Sequence, residues 1–446
     1  MTTISEVFSQ YHNNVLNNKE AYIKDYKKVF EEVGQSPAEY KGKPVEFLYQ
    51  PMFLSKEDFE KFQALTTMLM KILRKVINHY LSNEAFRKNF EFTPLLEKMI
   101  LKDPGYAIPV PMGRFDIFYH YNGSFQFCEL NADGSSGMVE ARELQWIMER
   151  SLAIKELKKD YSFTTFEFFD TWVDALLNNY KQFKGGEEKP RLAIVDFFSS
   201  TVPSEFTEFK KAFEKRGCPT VIADIRDLQY KEGKLFYGDF PIDCIYRRAV
   251  TWEIIHNETA VQDFIEAYLD GAVCVVGPIR SQIIHNKKIF SILHDPLKTP
   301  FLSEEERRFV EEHIPYTTTF DGENVELVDF TIKNKDQLVL KPTDKYASCG
   351  VYIGRDFTVE EWRRIIKNEA KEEYLLQQFC QVPNIPMAMF KDKDVAFIEN
   401  NYIIGLFMYN EKLQGIYTRT GRENIIGSIV ECFTVPNYIV EKNTNL

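Results

Sequence analysis

Residues 113–146 read GRFDIFYHYNGSFQFCELNADGSSGMVEARELQW, and this stretch decides the predicted fold. Asn122 and Gly123 lie between two runs of alternating residues, which predicts a β-hairpin with a two-residue turn. Pairing then follows by counting outward from the turn. The predicted cross-strand pairs are Phe118–Phe127, Asp116–Glu129 and Arg114–Asn131.

The predicted register places two acidic side chains directly opposite each other. Side chains alternate between the faces of a sheet, so all members of these pairs are expected on one face. Facing carboxylates with Cβ atoms roughly 4.5–5.5 Å apart repel each other, and a cation would relieve that repulsion. The oxygens of Asp116, Glu129 and Asn131 suit Mg²⁺, with substrate phosphates completing the shell. A solvated acidic face with a salt bridge to Arg114 is the alternative, but the two phenylalanines favour an enclosed metal site.

Composition describes an ordinary soluble protein. The 446 residues are enough for two or three domains, with 44% hydrophobic and 27% charged residues. A net charge of −11 argues against a nucleic-acid or anionic-membrane partner. Seven scattered cysteines without a CxxC pair are typical of reduced thiols, and indicate neither a zinc site nor a disulfide framework. Because no signal peptide or apolar run of about 20 residues is visible, a cytoplasmic location is expected.

Along the chain, the pattern changes from helical to α/β. The first 100 residues are predicted to be mainly helical, with an apolar stripe from Leu65 to Ile77 that is typical of a core. From Arg191 onward, apolar strands alternate with helices such as the one expected over 205–217. The first turn of this unit lacks GxGxxG, so a nicotinamide or flavin site is not supported.

Two segments carry features that could hold anions. The loop from Asp133 to Gly137 precedes a helix and would expose backbone N–H groups to a phosphate or carboxylate, although a plain capped loop is an equal alternative. Asn286 is expected to cap a helix whose first turn contains Lys287 and Lys288. Basic residues are unfavourable at that end of a helix, which indicates an anion nearby.

Further candidates lie in the last third of the chain. Lys341 ends a predicted strand, and a small-residue segment up to Gly350 could approach phosphates, although the spacing does not match a Walker A loop. Arg419 and Arg422 lie in a polar segment that contains glycine, where an isolated arginine is usually a surface charge.

Taken together, these motifs resemble the glutathionylspermidine synthase family of ATP-grasp ligases, in its synthetase part only. The motifs are RFD (114–116), CELNAD (128–133), QW (145–146), IYRR (245–248), VVGP (275–278), HNKK (285–288), LKP (340–342) and IYTR (416–419). They occur in the family's order. The resemblance implies an α+β, circularly permuted ATP-grasp fold, since the metal-binding hairpin precedes the lysine-bearing lobe. The implied segments are a helical region (1–100), the hairpin and helices of the ATP-grasp (101–190), a Rossmann-like pre-ATP-grasp domain (191–280), and the nucleotide-binding lobe with C-terminal strands (281–446).

The resemblance also implies residue roles. Asp116, Glu129 and Asn131 resemble the metal ligands; Arg114 and Arg419 the catalytic arginines; Lys287, Lys341 and Gly350 the phosphate-binding residues; and Gln377 and Gln378 the adenine contacts. The loop that follows the hairpin, with Asp133, Ser135 and Ser136, is then the place where we expect the acid substrate to approach. After Lys-Pro the chain reads TDKYASCG (343–350), where synthases carry an Arg-Glu-Gly loop, and this segment is the candidate lid.

The activity so implied uses ATP and Mg²⁺, with two metal ions. A small-molecule or peptide carboxylate would be phosphorylated to an acyl-phosphate and condensed with an amine, with no nucleic acid or membrane involved. An ATP-grasp phosphotransferase and a non-catalytic nucleotide-binding protein are the alternatives. The acidic pair, Lys287 and Lys341 argue against the non-catalytic alternative, while the altered loop after Lys341 argues for it.

Overall fold

The computed structural model describes residues 3–40, 42–186, 188–198, 203–343, 350–369, 373–391, 393–427 and 431–443. The α-helices are α1 (Thr3–Asn17), α2 (Lys19–Gly34), α3 (Lys56–Ser82), α4 (Glu84–Arg87), α5 (Pro94–Leu101), α6 (Met138–Glu149), α7 (Leu152–Leu157), α8 (Asp170–Lys184), α9 (Ser204–Lys215), α10 (Thr251–His256), α11 (Gln262–Asp270), α12 (Gln282–His285), α13 (Lys288–Leu293), α14 (Glu304–His313), α15 (Val325–Lys333) and α16 (Val359–Glu369).

The strands are β1 (Glu39–Tyr40), β2 (Lys43–Pro44), β3 (Met52–Leu54), β4 (Met112–Tyr119), β5 (Phe125–Asn131), β6 (Tyr161–Thr164), β7 (Leu192–Asp196), β8 (Thr220–Asp224), β9 (Leu228–Lys231), β10 (Lys234–Tyr237), β11 (Phe240–Ile242), β12 (Cys244–Arg247), β13 (Cys274–Val276), β14 (Thr317–Phe320), β15 (Leu338–Pro342), β16 (Tyr352–Ile353), β17 (Tyr374–Gln378), β18 (Asn384–Lys391), β19 (Asp394–Tyr409), β20 (Lys412–Gly421), β21 (Phe433–Val435) and β22 (Asn437–Lys442).

The central sheet is antiparallel and has the strand order β21-β20-β19-β4-β5, with β18 paired to β19. Strands β4 and β5 precede the lysine-bearing strand β15 in the chain, yet β4 pairs with β19, which follows it. This connectivity is that of the circularly permuted ATP-grasp fold. Gly405 on β19 faces Asp116, and a Cβ at Gly405 would lie 2.8 Å from the side chain of Arg114. The glycine therefore makes room for that arginine.

The predicted hairpin exists, but its turn is one residue longer than expected. The N–H of His120 donates to the carbonyl of Ser124 at 2.8 Å, and the N–H of Gly123 donates to the carbonyl of His120 at 2.7 Å, so three residues form the turn. Gly123 has φ +90°, in the left-handed region that such turns require.

A β-bulge corrects the register further along the hairpin. Ile117 faces Phe127 and Asp116 faces Glu129, so Cys128 is the extra residue. The predicted Asp116–Glu129 and Arg114–Asn131 pairs are confirmed, whereas the Phe118–Phe127 pair is wrong. Phe127 consequently turns into the main core and is fully buried, and it does not share the face of the acidic pair.

A second, parallel sheet has the order β13-β12-β7-β8 and lies within the stretch predicted to be α/β. Its first strand, Leu192–Asp196, is an apolar run whose first four residues are fully buried, as expected for a strand covered on both faces. The lysine-bearing strand β15 belongs to a third sheet, β14-β17-β15-β16, which packs against Trp362 of α16. The division into the four predicted segments remains a prediction.

The N-terminal region is mainly helical, as expected, and it also contains the short strands β1, β2 and β3. The predicted apolar stripe lies on α3, whose residues Leu69, Ile72 and Val76 are fully buried. Strand β3 pairs in parallel with β22 near the other end of the chain. Among the helices of the described ranges, none combines the length and apolarity needed to cross a membrane.

The β-bulge predicts that Phe127 contributes more to the stability of the protein than Phe118. Phe127→Ala should lower the free energy of unfolding by about 3–5 kcal/mol, the usual cost of truncating a buried phenylalanine. Phe118→Ala, the matched control, should cost less because Phe118 is only half-buried. Urea unfolding of both variants measures the difference. Equal losses would contradict the bulged register.

Candidate functional site

The centre of the site is the carboxylate of Asp116, which is 1% exposed and held by two arginines, one from the same strand β4 and one from β20, on the far side of β19. Arg114 donates from Nε to Oδ1 at 2.9 Å and from Nη2 to Oδ2 at 3.2 Å. Arg419, on β20, donates from Nη2 to Oδ2 at 2.8 Å. Burial opposes the charge of Arg114, but the Asp116 carboxylate outweighs it and raises the pKa of Arg114.

Asn131 joins the two predicted metal-binding carboxylates. Its Nδ2 lies 3.3 Å from Oδ2 of Asp116 and 3.3 Å from Oε2 of Glu129. The other oxygen of Glu129 accepts an ion pair from Nζ of Lys287 at 3.0 Å. Burial alone would raise the pKa of Glu129, but Lys287, and more weakly Lys341, hold it well below its usual range. Glu129 is therefore ionised.

The aromatic ring of Tyr417 packs against both arginines. The guanidinium carbons of Arg114 and Arg419 lie 5.5 and 5.8 Å from the centre of its ring, within cation–π range. The hydroxyl of Tyr417 donates to Oε2 of Glu140 at 2.6 Å, and Thr434 donates to the same oxygen at 3.1 Å. Burial raises the pKa of Glu140, and these hydrogen bonds offset it only in part.

The charges fit a polyanionic ligand better than a bare metal ion. Two carboxylates face Arg114, Arg419 and Lys287, while Lys341 donates to the carbonyl of Cys128 at 3.4 Å, so cationic groups outnumber anionic ones. Nε of Arg419 is buried without an acceptor among the described residues.

The metal ligands available to the site are correspondingly few. No group of three or more His, Cys, Asp or Glu side chains suited to a metal occurs in the described part of the chain. Two carboxylates with an amide oxygen, reached by turning the Asn131 amide over, would thus hold Mg²⁺ only if phosphate oxygens completed its shell.

The two predicted first-turn lysines have different partners. The predicted cap is wrong by one residue, because helix α13 begins at Lys288 and Lys287 is at the cap position. Asn286 lies one residue earlier, and its Oδ1 accepts from the N–H of Lys288 at 2.9 Å. Lys287 faces Glu129, and its own N–H donates to the carbonyl of Thr343 at the end of β15. Lys288 instead pairs with Glu91 and, at 3.0 Å, with Glu373.

The predicted adenine contacts lie on β17. Gln377 is buried and donates from Nε2 to Oγ1 of Thr317 at 2.9 Å, whereas Gln378 is exposed. Gly350 has φ +74°, and a Cβ there would lie 2.7 Å from the hydroxyl of Tyr374. Residues 344–349 of the candidate lid lie outside the described residues.

The loop predicted to meet the acid substrate is fixed by internal bonds. Asp133 is buried and accepts from Nη1 of Arg247 at 2.5 Å and from the N–H of Thr251 at 2.7 Å. Ser135 donates its hydroxyl to the carbonyl of Asn131 at 2.8 Å. Ser136 is exposed, and its carbonyl accepts from Nη1 of Arg114 at 2.9 Å. The loop therefore buttresses the arginine, and the substrate roles of Asp133, Ser135 and Ser136 remain predictions.

Of the two alternatives for the start of α6, N–H groups open to a ligand and a closed loop, the structure has the closed loop. The N–H groups of Gly137, Met138 and Val139 all donate to Oε2 of Glu205, at 3.1, 2.8 and 3.2 Å. Arg248 pairs with the other oxygen of Glu205 at 2.9 Å. A carboxylate does occupy this helix start, as its chemistry favours, but the chain supplies it from α9.

Sequence reasoning missed Glu205 and Tyr417. Tyr417 had a weak signal, because it lies two residues before Arg419, but its position on the same face follows only from the strand β20, which was not predicted. Glu205 had none, since it bonds residues 66–68 positions away through the packing of two helices.

Comparison with known proteins identifies the family. The family model described as glutathionylspermidine synthase preATP-grasp matches residues 19–347. The chain belongs to the glutathionylspermidine synthase family. No curated protein matches the sequence.

A solved structure shares this fold at low identity. A glutathione synthetase-like effector from Globodera pallida is 9% identical, with 94% of this chain and 96% of that chain covered and a TM-score of 0.56. A putative gamma-glutamylcysteine synthetase from Methylobacillus flagellatus is 10% identical over 86% and 89%, with a TM-score of 0.41. The family supports an ATP-dependent ligase in general terms.

The environment of Glu140 predicts a pH-dependent stability. Because the native pKa is raised, the folded protein retains a proton that the unfolded chain loses near pH 4. Stability from this group is therefore lost as pH rises through the native pKa. Glu140→Gln lacks this loss, so its free energy of unfolding should rise relative to wild type between pH 4 and 8. Urea unfolding across that range, with exposed Glu399→Gln as control, measures it; a pH-independent difference would contradict it.

Proposed function

We propose that the protein is an ATP- and Mg²⁺-dependent carboxylate–amine ligase that acts through an acyl-phosphate. One observation carries the proposal: Asp116 and Glu129 converge on the single amide of Asn131, inside a ring of cationic side chains. An acidic pair with a purely structural role would need no more cationic side chains than it has carboxylates. The excess suits the phosphates of a nucleotide.

The reaction balances without a protein nucleophile. A carboxylate oxygen of the acid substrate attacks the γ-phosphorus of ATP, the bond to the β–γ bridging oxygen breaks, and ADP leaves. The amine nitrogen then attacks the acyl carbon, the carbon–oxygen bond to phosphate breaks, and an amide, phosphate and a proton result. Asp116, Glu129 and Asn131 would hold Mg²⁺, which would supply positive charge to offset that of the phosphates.

The side chains supply positioning and positive charge. The first attack brings two anions together, so its rate depends on fixed cations near the transferring phosphoryl group. Arg114 and Arg419 are fixed by Asp116 and by the ring of Tyr417. Their orientation therefore needs little adjustment when charge develops. Nε of Arg419, which is buried without an acceptor among the described side chains, suits a phosphoryl oxygen.

Lys287 has two roles in this proposal. In the free protein it neutralises Glu129 at 3.0 Å. When nucleotide phosphates enter, the same ammonium group would turn to them and release the carboxylate for the metal. Metal binding and nucleotide binding are then coupled, because the phosphates draw Lys287 away from Glu129 and the released carboxylate can bind the metal.

Loss of the Glu129 charge tests the function. Glu129→Gln should lower substrate-dependent ADP release by more than about 100-fold, because the carboxylate that holds the metal is lost. The assay offers ATP, Mg²⁺ and pooled acids and amines, and follows ADP and the mass of a condensed product. Glu399→Gln, on an exposed part of β19, should keep wild-type turnover.

The products separate the candidate activities. An amide and free phosphate support the ligase, whereas a phosphorylated acceptor would assign a phosphotransferase. Near-normal turnover of Glu129→Gln would contradict the metal assignment. Binding of ATP with no acceptor consumed would favour a non-catalytic protein.

Removal of Lys287 tests the coupling. Lys287→Met should bind Mn²⁺ alone more tightly than wild type, because Glu129 loses its internal counter-charge, while its affinity for nucleotide should fall. Electron paramagnetic resonance of free Mn²⁺ and titration with a fluorescent ATP analogue measure the two effects. Lys288→Met is the matched control, since Lys288 pairs with Glu91 and Glu373. Unchanged Mn²⁺ affinity in Lys287→Met would contradict the proposed exchange.

A further inference from the structure

The carboxylate of Glu205 closes the start of helix α6. It accepts three successive backbone N–H groups on one oxygen and faces Arg248 with the other. Glu205 is 5% exposed, so no solvent ion can replace it without displacing α9. Unpaired N–H groups at a buried helix start are costly, and the positive end of the helix favours an anion. The position of the first turn of α6 therefore depends on this side chain.

The same turn is one residue from the site. Ser136 directly precedes Gly137, and its carbonyl accepts the hydrogen bond from Nη1 of Arg114. The other end of the loop is held by Asp133, which is bonded to Arg247 and Thr251. A bond at each end thus fixes the carbonyl that orients the guanidinium group.

We propose that Glu205 is a positioning residue for Arg114. Its carboxylate holds the start of α6, the start of α6 holds the carbonyl of Ser136, and that carbonyl sets the third contact of Arg114, beside its two contacts with Asp116. This inference rests on the proposed function, because it concerns the arginine assigned to the phosphoryl group. Through these contacts, helix α9, which lies between β7 and β8 in the chain, influences the geometry of the proposed nucleotide site.

The binding of a nucleotide and metal tests the inference. Glu205→Ala should bind Mn²⁺ with a non-hydrolysable ATP analogue at least tenfold more weakly than wild type. Formate should enter the space left by the carboxylate and restore most of that affinity, together with the melting temperature. Sodium chloride at equal ionic strength should restore neither.

Glu208→Ala is the matched control. Glu208 lies one turn further along α9 and also contacts α6, through Arg142 at 2.7 Å, but it does not touch the loop. This variant should keep wild-type affinity with or without formate. If Glu205→Ala does not fold, Glu205→Gln, which keeps the volume but not the charge, should show the weaker affinity.

Each outcome of these binding experiments either supports or contradicts the positioning role of Glu205. Recovery of both affinity and melting temperature with formate supports the positioning role. Wild-type affinity in the folded Glu205 variants would overturn it, as would formate restoring the melting temperature alone, which indicates a purely structural contact. A wild-type protein that does not bind the metal–nucleotide pair would overturn the proposed function and this inference with it.

Discussion

The site depends on the repulsion between Asp116 and Glu129. Two carboxylates that meet across a hairpin in a partly buried place are stable only with compensating charge, because burial penalises each of them. The compensation comes from three separate parts of the chain: Arg114 from the same hairpin, Lys287 from the start of α13, and Arg419 from β20. The repulsion is thus relieved only when the sheets and the helix are assembled.

The same constraint accounts for several packing choices around the site. The two arginines crowd onto one carboxylate, so the neighbouring strand has Gly405 where any side chain would collide with Arg114. Tyr417 fills the space beneath both guanidinium groups, and its hydroxyl needs a buried acceptor, which Glu140 supplies. The contacts that shape the candidate site are therefore also contacts of the core.

Local pattern was enough to predict the acidic pair but not its surroundings. The turn and the bulge each shift the register by one residue in opposite directions, so Asp116 still faces Glu129 while Phe127 turns into the core. Alternation cannot reveal a bulge, because the extra residue leaves both flanking runs regular. Helix-start chemistry located the start of α13 to within one residue, but Lys287, not Asn286, is at the cap position. Glu205 was not, because its bonds are made by tertiary packing.

The pairing of β4 with β19 has a consequence for folding. The ion pair between Asp116 and Arg419 spans 303 residues of chain, and the sheet that contains the hairpin cannot form until β19 and β20 have been synthesised. Contacts of such separation slow folding, because a long loop must close before they contribute. During synthesis the acidic hairpin has only its own Arg114 as a counter-charge until Lys287 and Arg419 have been added to the chain. The permuted order thus makes the candidate site one of the last parts of the protein to assemble, so a truncated chain should have an incomplete site.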